Sequence, residues 1–227
     1  MDQAPATDLR IDYPATTLRG LAVDRLRQAI ISGHFAGGAR LVERTLCEQL
    51  GVSRSVVREA IRYLEAEGLV ETQARSGPVV ATLDWSGARQ IYDIRSLLEA
   101  AAAAACAKNA DPAVIDRLRA ALARLKKAFG GGAPSELLAA TTHFYEVIFT
   151  AAGHHIAWEI VQRLNGRISR LRAITLATRN RSISGHAHMS RICAAICAHD
   201  PDAAATAVQD HLRDAAEIAH QTLEVPT

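Results

Sequence analysis

Residues 51–68 restrict the fold more than any other stretch of the chain. Gly51-Val-Ser-Arg-Ser-Val-Val-Arg-Glu-Ala-Ile-Arg-Tyr-Leu-Glu-Ala-Glu-Gly68 reads as a helix capped at Ser53 and stopped at Gly68. Val57, Ile61 and Leu64 recur at i, i+4 and i+7, so they share one face that seeks a core. Arg54, Ser55, Arg58 and Arg62 lie on another face. A helix from about Val42 to Leu50, ended by Gly51, supplies Leu46 and Leu50 as partners for the apolar face. Upstream, Leu21, Leu26 and Ile30 mark a helix from Leu18 that Gly33 breaks, and His34–Ala39 is a turn. Downstream, Leu69–Gln73 and Val79–Thr82 are β-prone runs around a Gly-Pro turn, the pattern of a hairpin. Three helices and a hairpin predict a winged helix-turn-helix.

From Asp84 onward no strand pattern appears. Helices are predicted near 85–107, 112–129, 135–152, 155–179, 184–199 and 201–223. They are separated by Asp111-Pro112, Gly130–Pro134, Gly153, Ser182–Gly185 and Asp200-Pro201. Short connections between six helices suggest an antiparallel bundle. The expected organisation is therefore mainly α: a flexible arm over 1–16, a winged domain over 17–82 and a helical domain over 83–227. Aromatic residues make up only 4% of the chain, so Ala, Leu, Ile and Val must fill the core.

The net charge is +2, so any basic surface must be local. Cys47, Cys106, Cys193 and Cys197 have no disulfide-framework spacing and read as reduced thiols. Cys193 and Cys197, one turn apart, leave a metal clip as the alternative. The first residues carry no apolar core of a secretory signal, and no apolar run is long enough to span a membrane. A cytoplasmic protein is expected.

The Arg54–Arg62 face suits a major groove. Arg offers bidentate contacts to guanine, and a helix N-terminus favours phosphate. Arg44, on the preceding helix, is placed to reach the DNA backbone or a base edge. Arg75, on the hairpin, is placed to enter a minor groove. The competing reading is a solvated face with Glu59, Glu65 and Glu67 as local partners. The position of the helix, after a glycine-turned helix and before a hairpin, favours DNA.

Leu21-Ala-Val-Asp-Arg-Leu-Arg-Gln-Ala-Ile-Ile-Ser-Gly33, Gly37-Gly-Ala-Arg-Leu-Val-Glu43, Gly51–Ile61 and Leu64-Glu-Ala-Glu-Gly-Leu-Val70, with Gly77, closely resemble the GntR family of regulators over about residues 18–82. The resemblance implies DNA contacts by Arg44, Arg54, Ser55, Arg58 and Arg75. Gly38 stands where the family usually has Pro. Ile91–Glu99, Phe144–Gly153, Arg167–Arg172, Ala195–Asp200 and His211-Leu212 resemble, more loosely, the FCD effector domain of the FadR-type subfamily. That resemblance implies an all-helical bundle that takes a small carboxylate, in many members through a divalent metal held by one Asp and three His.

The metal pattern is broken in this chain. Asp-x-x-Phe-His becomes Thr141-Thr-His-Phe-Tyr145, Glu-His becomes His188-Met189, and only His211 matches. Thr and Tyr are poor ligands for Zn, Mn or Ni, so no family metal is expected. A rearranged site using His143, His188 and His211 is the alternative. The remaining residues suit an organic ligand. Arg95 matches a carboxylate-pairing position, with Thr141, Tyr145, Asn165, Arg172 and His211 as further candidates. The alternative for Arg95 is an intrahelical pair with Glu99. The function expected is a homodimeric repressor that reads an inverted repeat in double-stranded operator DNA and is released by a small carboxylate. A metal sensor is the alternative, and an enzyme with a helical catalytic domain is the remote one.

Overall fold

Thr17 opens the first helix, its hydroxyl accepting from the Gly20 N–H at 3.1 Å. The structure, a computed structural model, describes residues 17–131, 134–177 and 185–224. The arm expected over 1–16 and most of the break expected at Ser182–Gly185 lie outside the described residues. Helix α1 (Leu18–Ile31) buries Ala22, Val23, Leu26 and Ile30. Leu21 was expected on that face but is exposed. It lies five residues before Leu26, whereas Ala22, Leu26 and Ile30 keep the four-residue spacing of one stripe.

Helix α2 (Glu43–Leu50) ends at Gly51, whose φ of 65° puts it in the left-handed region that favours glycine. Helix α3 (Arg54–Ala66) starts at Ser53, whose hydroxyl accepts from the Val56 N–H. Val57, Ile61 and Leu64 are buried as predicted, in one core with Leu26, Ile30 and Leu46. Arg27 ties α1 to the end of α3. Its Nε and Nη2 donate to the two Glu67 carboxylate oxygens, both at 2.9 Å.

Strands β1 (Val70–Gln73) and β2 (Gly77–Val80) pair antiparallel, Val70 opposite Val80 and Gln73 opposite Gly77. The turn is Ala74-Arg75-Ser76, not the predicted Gly-Pro. Gly77 takes a φ of 71° at the entrance of β2, so the reversal is complete before Pro78. The chain before α2 lies along the other side of β2. There the Val80 N–H donates to Ala39 O and the Leu41 N–H donates to Pro78 O, each at 2.9 Å.

The rest is helical: α4 (Trp85–Asn109), α5 (Pro112–Phe129), α6 (Pro134–Ala151), α7 (His155–Arg163), α8 (Asn165–Ala177), α9 (Gly185–Cys197) and α10 (Pro201–Glu224). Asp84 and Asp111 cap α4 and α5 by accepting from the Gly87 and Val114 N–H groups. α4 lies against α10, α9 and α6, and α5 lies against α6 and α9. Ala102, Ala103 and Ala107 of α4 and Ala204 and Ala219 of α10 are buried in that core, where small side chains let helices approach closely. No helix among the described residues is long and apolar enough to cross a membrane.

One predicted helix, 155–179, is two. The break is at Leu164, and just beyond it Gly166 brings α8 close against the winged domain. A Cβ on Gly166 would meet Leu69 Cγ at 2.7 Å and the Glu67 carbonyl oxygen at 2.8 Å. The start of α8 thus presses on the segment joining α3 to β1. Arg167 lies across Gly68, and Arg170 donates to the Ala81 carbonyl.

Candidate functional site

The exposed face of α3 begins at its N-terminus. Arg54, Ser55, Arg58 and Arg62 are all exposed there, and Arg44 is exposed on α2. Arg75 is exposed at the tip of the hairpin. The glutamates expected to neutralise this face do not all do so. Glu67 is engaged by Arg27, and the partner of Arg58 is Glu43 on α2. The Arg58 Nε donates to both Glu43 oxygens at 2.9 Å, and this raises its pKa above the ordinary value. Both Nη groups are left outside that contact. Ser55 and Ser53 share a hydroxyl contact of 2.8 Å beside the cap. Arg44 faces Glu48 at a loose 3.9 Å. The face therefore presents guanidinium groups, a hydroxyl and a helix N-terminus together, a set that fits phosphate and base edges.

A second polar cluster lies inside the helical half. Arg95 and Glu99 of α4 form a buried pair, Nε to Oε1 at 2.7 Å and Nη2 to Oε2 at 3.3 Å. Their side chains are 2% and 1% exposed. The intrahelical pairing considered for Arg95 is present, and the Nη1 edge is not used by Glu99. Burial lowers the Arg95 pKa, but the field of Glu99 and Tyr145 outweighs it and the net shift is upward. Tyr92 lies 5.8 Å from the Arg95 guanidinium.

Tyr145 Oη, on α6, is buried close to Glu99 and makes no well-formed hydrogen bond among the described residues. Burial and the nearby Glu99 carboxylate push its pKa well above the usual phenol value. Arg172 of α8 is partly buried beside them. Burial, and then the like charge of Arg95, lower its pKa to about 10. Arg172 Nη1 donates to Thr142 Oγ1 at 3.3 Å. Thr141, the predicted neighbour, turns its hydroxyl back to Leu137 O at 2.7 Å. Asn165 opens α8 at the end near the winged domain, two turns and about 10 Å along the helix from Arg172. The structure thus gathers Arg95, Tyr145 and Arg172 and adds Glu99, Tyr92 and Thr142. Glu99, at i+4 from Arg95, is the partner that the helical spacing offered for it. Nothing in the sequence singled out Thr142.

The family metal positions fall on Thr141, Tyr145, Met189 and His211. Met189 is buried, and neither its thioether nor the Thr141 and Tyr145 hydroxyls form a ligand set that suits a divalent cation. The rearranged trio is not assembled either. His143 is exposed and contacts Glu146 at 3.2 Å. His188 is buried, with Nε2 3.0 Å from Asp214 Oδ2, and its ring lies 5.2 Å from that of His211. Among the described residues no three His, Cys, Asp or Glu side chains converge on one point. The Cys193 and Cys197 sulfurs are 4.0 Å apart. Burial raises the Cys193 thiol to about 12 and the Cys106 thiol to about 11, so both stay protonated near neutral pH.

Both halves match described families. The model of the FCD domain covers residues 90–214, and that of the bacterial regulatory proteins of the gntR family covers 19–80. The chain is a GntR-family regulator with an FCD domain. A helix-turn-helix transcriptional regulator in an unstable DNA locus of Streptomyces ambofaciens is 29% identical over 196 residues, 83% of this chain and 79% of the relative. The gluconate operon transcriptional repressor of Bacillus subtilis is 42% identical over 74 residues, 33% of this chain and 30% of the relative. The solved structure of Escherichia coli McbR/YncC superposes with a TM-score of 0.75 at 22% identity, over 91% of this chain and 98% of that one. This GntR regulator is therefore a DNA-binding transcription factor and not an enzyme.

Proposed function

We propose that this regulator is a repressor released by a small carboxylate, acting as two copies on an inverted repeat of operator DNA in the cytoplasm. One observation carries the reading: α8 connects the buried polar cluster to the winged domain. Its Gly166, Arg167 and Arg170 lie on the winged domain, and its Arg172 lies in the Arg95–Glu99–Tyr145 cluster. An anion bound between Arg95 and Arg172 relieves their mutual repulsion and draws α8 toward α4. Because Gly166 touches the α3–β1 segment without a side chain between them, any shift of α8 changes the seat of the winged domain. Two recognition helices then no longer match two half-sites, and affinity falls by the differential binding of the ligand.

The direct test is a gel shift on the regulator's own promoter region, with gluconate, malate, lactate and citrate added in turn. A specific shift that one of these abolishes is expected. Absence of any sequence-specific shift sinks the reading, and a shift that none of the four alters sinks its ligand half. A substitution checks the coupling separately. Gly166→Leu wedges α8 away from residues 67–69, so the carboxylate should still raise the melting temperature but no longer alter operator affinity. An unchanged ligand response in that variant would show that α8 does not carry the signal.

A further inference from the structure

Helix α9 ends on two cysteines one turn apart. Cys193 and Cys197, at i and i+4, share a face, and their sulfurs are 4.0 Å apart. Cys193 is buried and Cys197 half-buried, so the pair runs from the core toward solvent. On α4, Cys106 is buried and close enough to Cys197 to feel its charge. Three of the four cysteines of the chain therefore share one region of the helical domain. Helix α5 packs against α9 there, and the field of its Arg119 favours the thiolate of Cys193. The carboxylate reading uses none of these groups. A disulfide does not suit the pair. Helical neighbours at i and i+4 hold their Cβ atoms about 5–6 Å apart, whereas a disulfide needs about 3.5–4.5 Å. Closing one would unwind the last turn of α9, where the Ala198 N–H donates to Ala194 O at 2.9 Å. An ion set between the sulfurs needs no such change.

We propose that Cys193 and Cys197 form a clip for a soft monovalent ion of the Cu(I) class, held by their two thiolates. Two metal–sulfur bonds of about 2.3 Å that span the 4.0 Å gap meet at about 120°, an angle open to an ion of low coordination number. Soft thiolates select Cu(I) over hard cations, which ask for oxygen ligands. Zn(II) asks for four ligands, and among the described residues no group of three His, Cys, Asp or Glu side chains converges here. The charge count agrees. Burial keeps the Cys193 thiol protonated, so two bare thiolates are unfavourable in this place. On binding, both thiol protons pass to solvent and one positive ion enters. The complex then carries a single negative charge, and Arg119 of α5 offsets it. Cys197, the half-buried member, is the side from which the ion enters.

Anaerobic titration of the full, reduced chain with Cu(I) buffered by bathocuproine disulfonate tests this. Wild type should take up about one equivalent per chain, with a rise in melting temperature. Cys197→Ala should weaken Cu(I) binding about 100-fold or more, beyond what loss of an outer partner costs. Its far-ultraviolet circular dichroism should not change, because Cys197 is only half-buried. Cys193→Ala should lose the ion as well, and X-ray absorption on the wild-type complex should show sulfur neighbours around copper, which does not depend on how a variant folds. Cys47→Ala, in α2 of the winged domain, should bind as wild type does. Failure of wild type to take Cu(I) from the chelator overturns the proposal. So does a Cys197→Ala protein that binds as tightly as wild type, or a Cys47→Ala protein that does not bind. Displacement of the bound Cu(I) by an equal concentration of Zn(II) overturns the choice of ion.

Discussion

Arg95→Met should destabilise the fold by about 3–5 kcal/mol, far more than an ordinary surface change. The reason is what the substitution leaves behind. Glu99 is fully buried, and Arg95 supplies both of its hydrogen-bonded contacts. Without the guanidinium, a carboxylate remains in the core with no opposite charge bonded to it. The pair itself does not stabilise by that amount, because burying both ions costs much of what their attraction returns. Arg95→Met combined with Glu99→Leu should therefore recover most of the loss, and urea unfolding of the three proteins checks the pattern. The double variant separates folding from function. It should fold and bind operator DNA, yet show no thermal shift with any carboxylate, since the anchor has gone. A single variant that loses less than about 1 kcal/mol would mean that Glu99 is not buried as an ion.

How far the sequence revealed this arrangement depended on the range of the interaction. The cap at Ser53, the break at Asp111-Pro112 and the glycine stop at Gly51 are local, and local chemistry is legible. So was the buried face Val57–Ile61–Leu64, because a 3.6-residue period needs no knowledge of the partner. The Leu164 break was not legible. The helix that follows it meets Leu69 and Glu67 at Gly166, about a hundred residues away in sequence, and no local spacing marks that contact. The same limit hid Thr142 and Glu43. Each meets its arginine only through tertiary packing, so neither had a spacing to betray it. Arg172 was named for its residue type and its place in a family-like stretch. Its setting in the cluster is a matter of how α8 lies on α6 and α10.

Arg54→Ala together with Arg58→Ala should abolish operator binding at physiological salt while leaving the fold unchanged. Both side chains are exposed, and neither Cβ belongs to the α3 core. Each groove or phosphate contact contributes about 1–3 kcal/mol, so the pair should lower affinity by about 30-fold to 10⁴-fold per copy. Salt dependence divides the two roles. A residue bound to phosphate releases counterions, and its removal should flatten the slope of affinity against salt. A residue that reads a base edge should instead reduce discrimination between operator and random DNA. For Arg58 the geometry favours base reading. Glu43 engages only Nε, which fixes the plane of the guanidinium and leaves both Nη groups to contact an edge. Glu43→Gln should then cost little stability, since the ion pair is exposed, but should relax operator specificity and barely change non-specific binding. If Glu43→Gln tightens binding to all DNA alike, Glu43 competes with phosphate for Arg58, and the base-reading role fails.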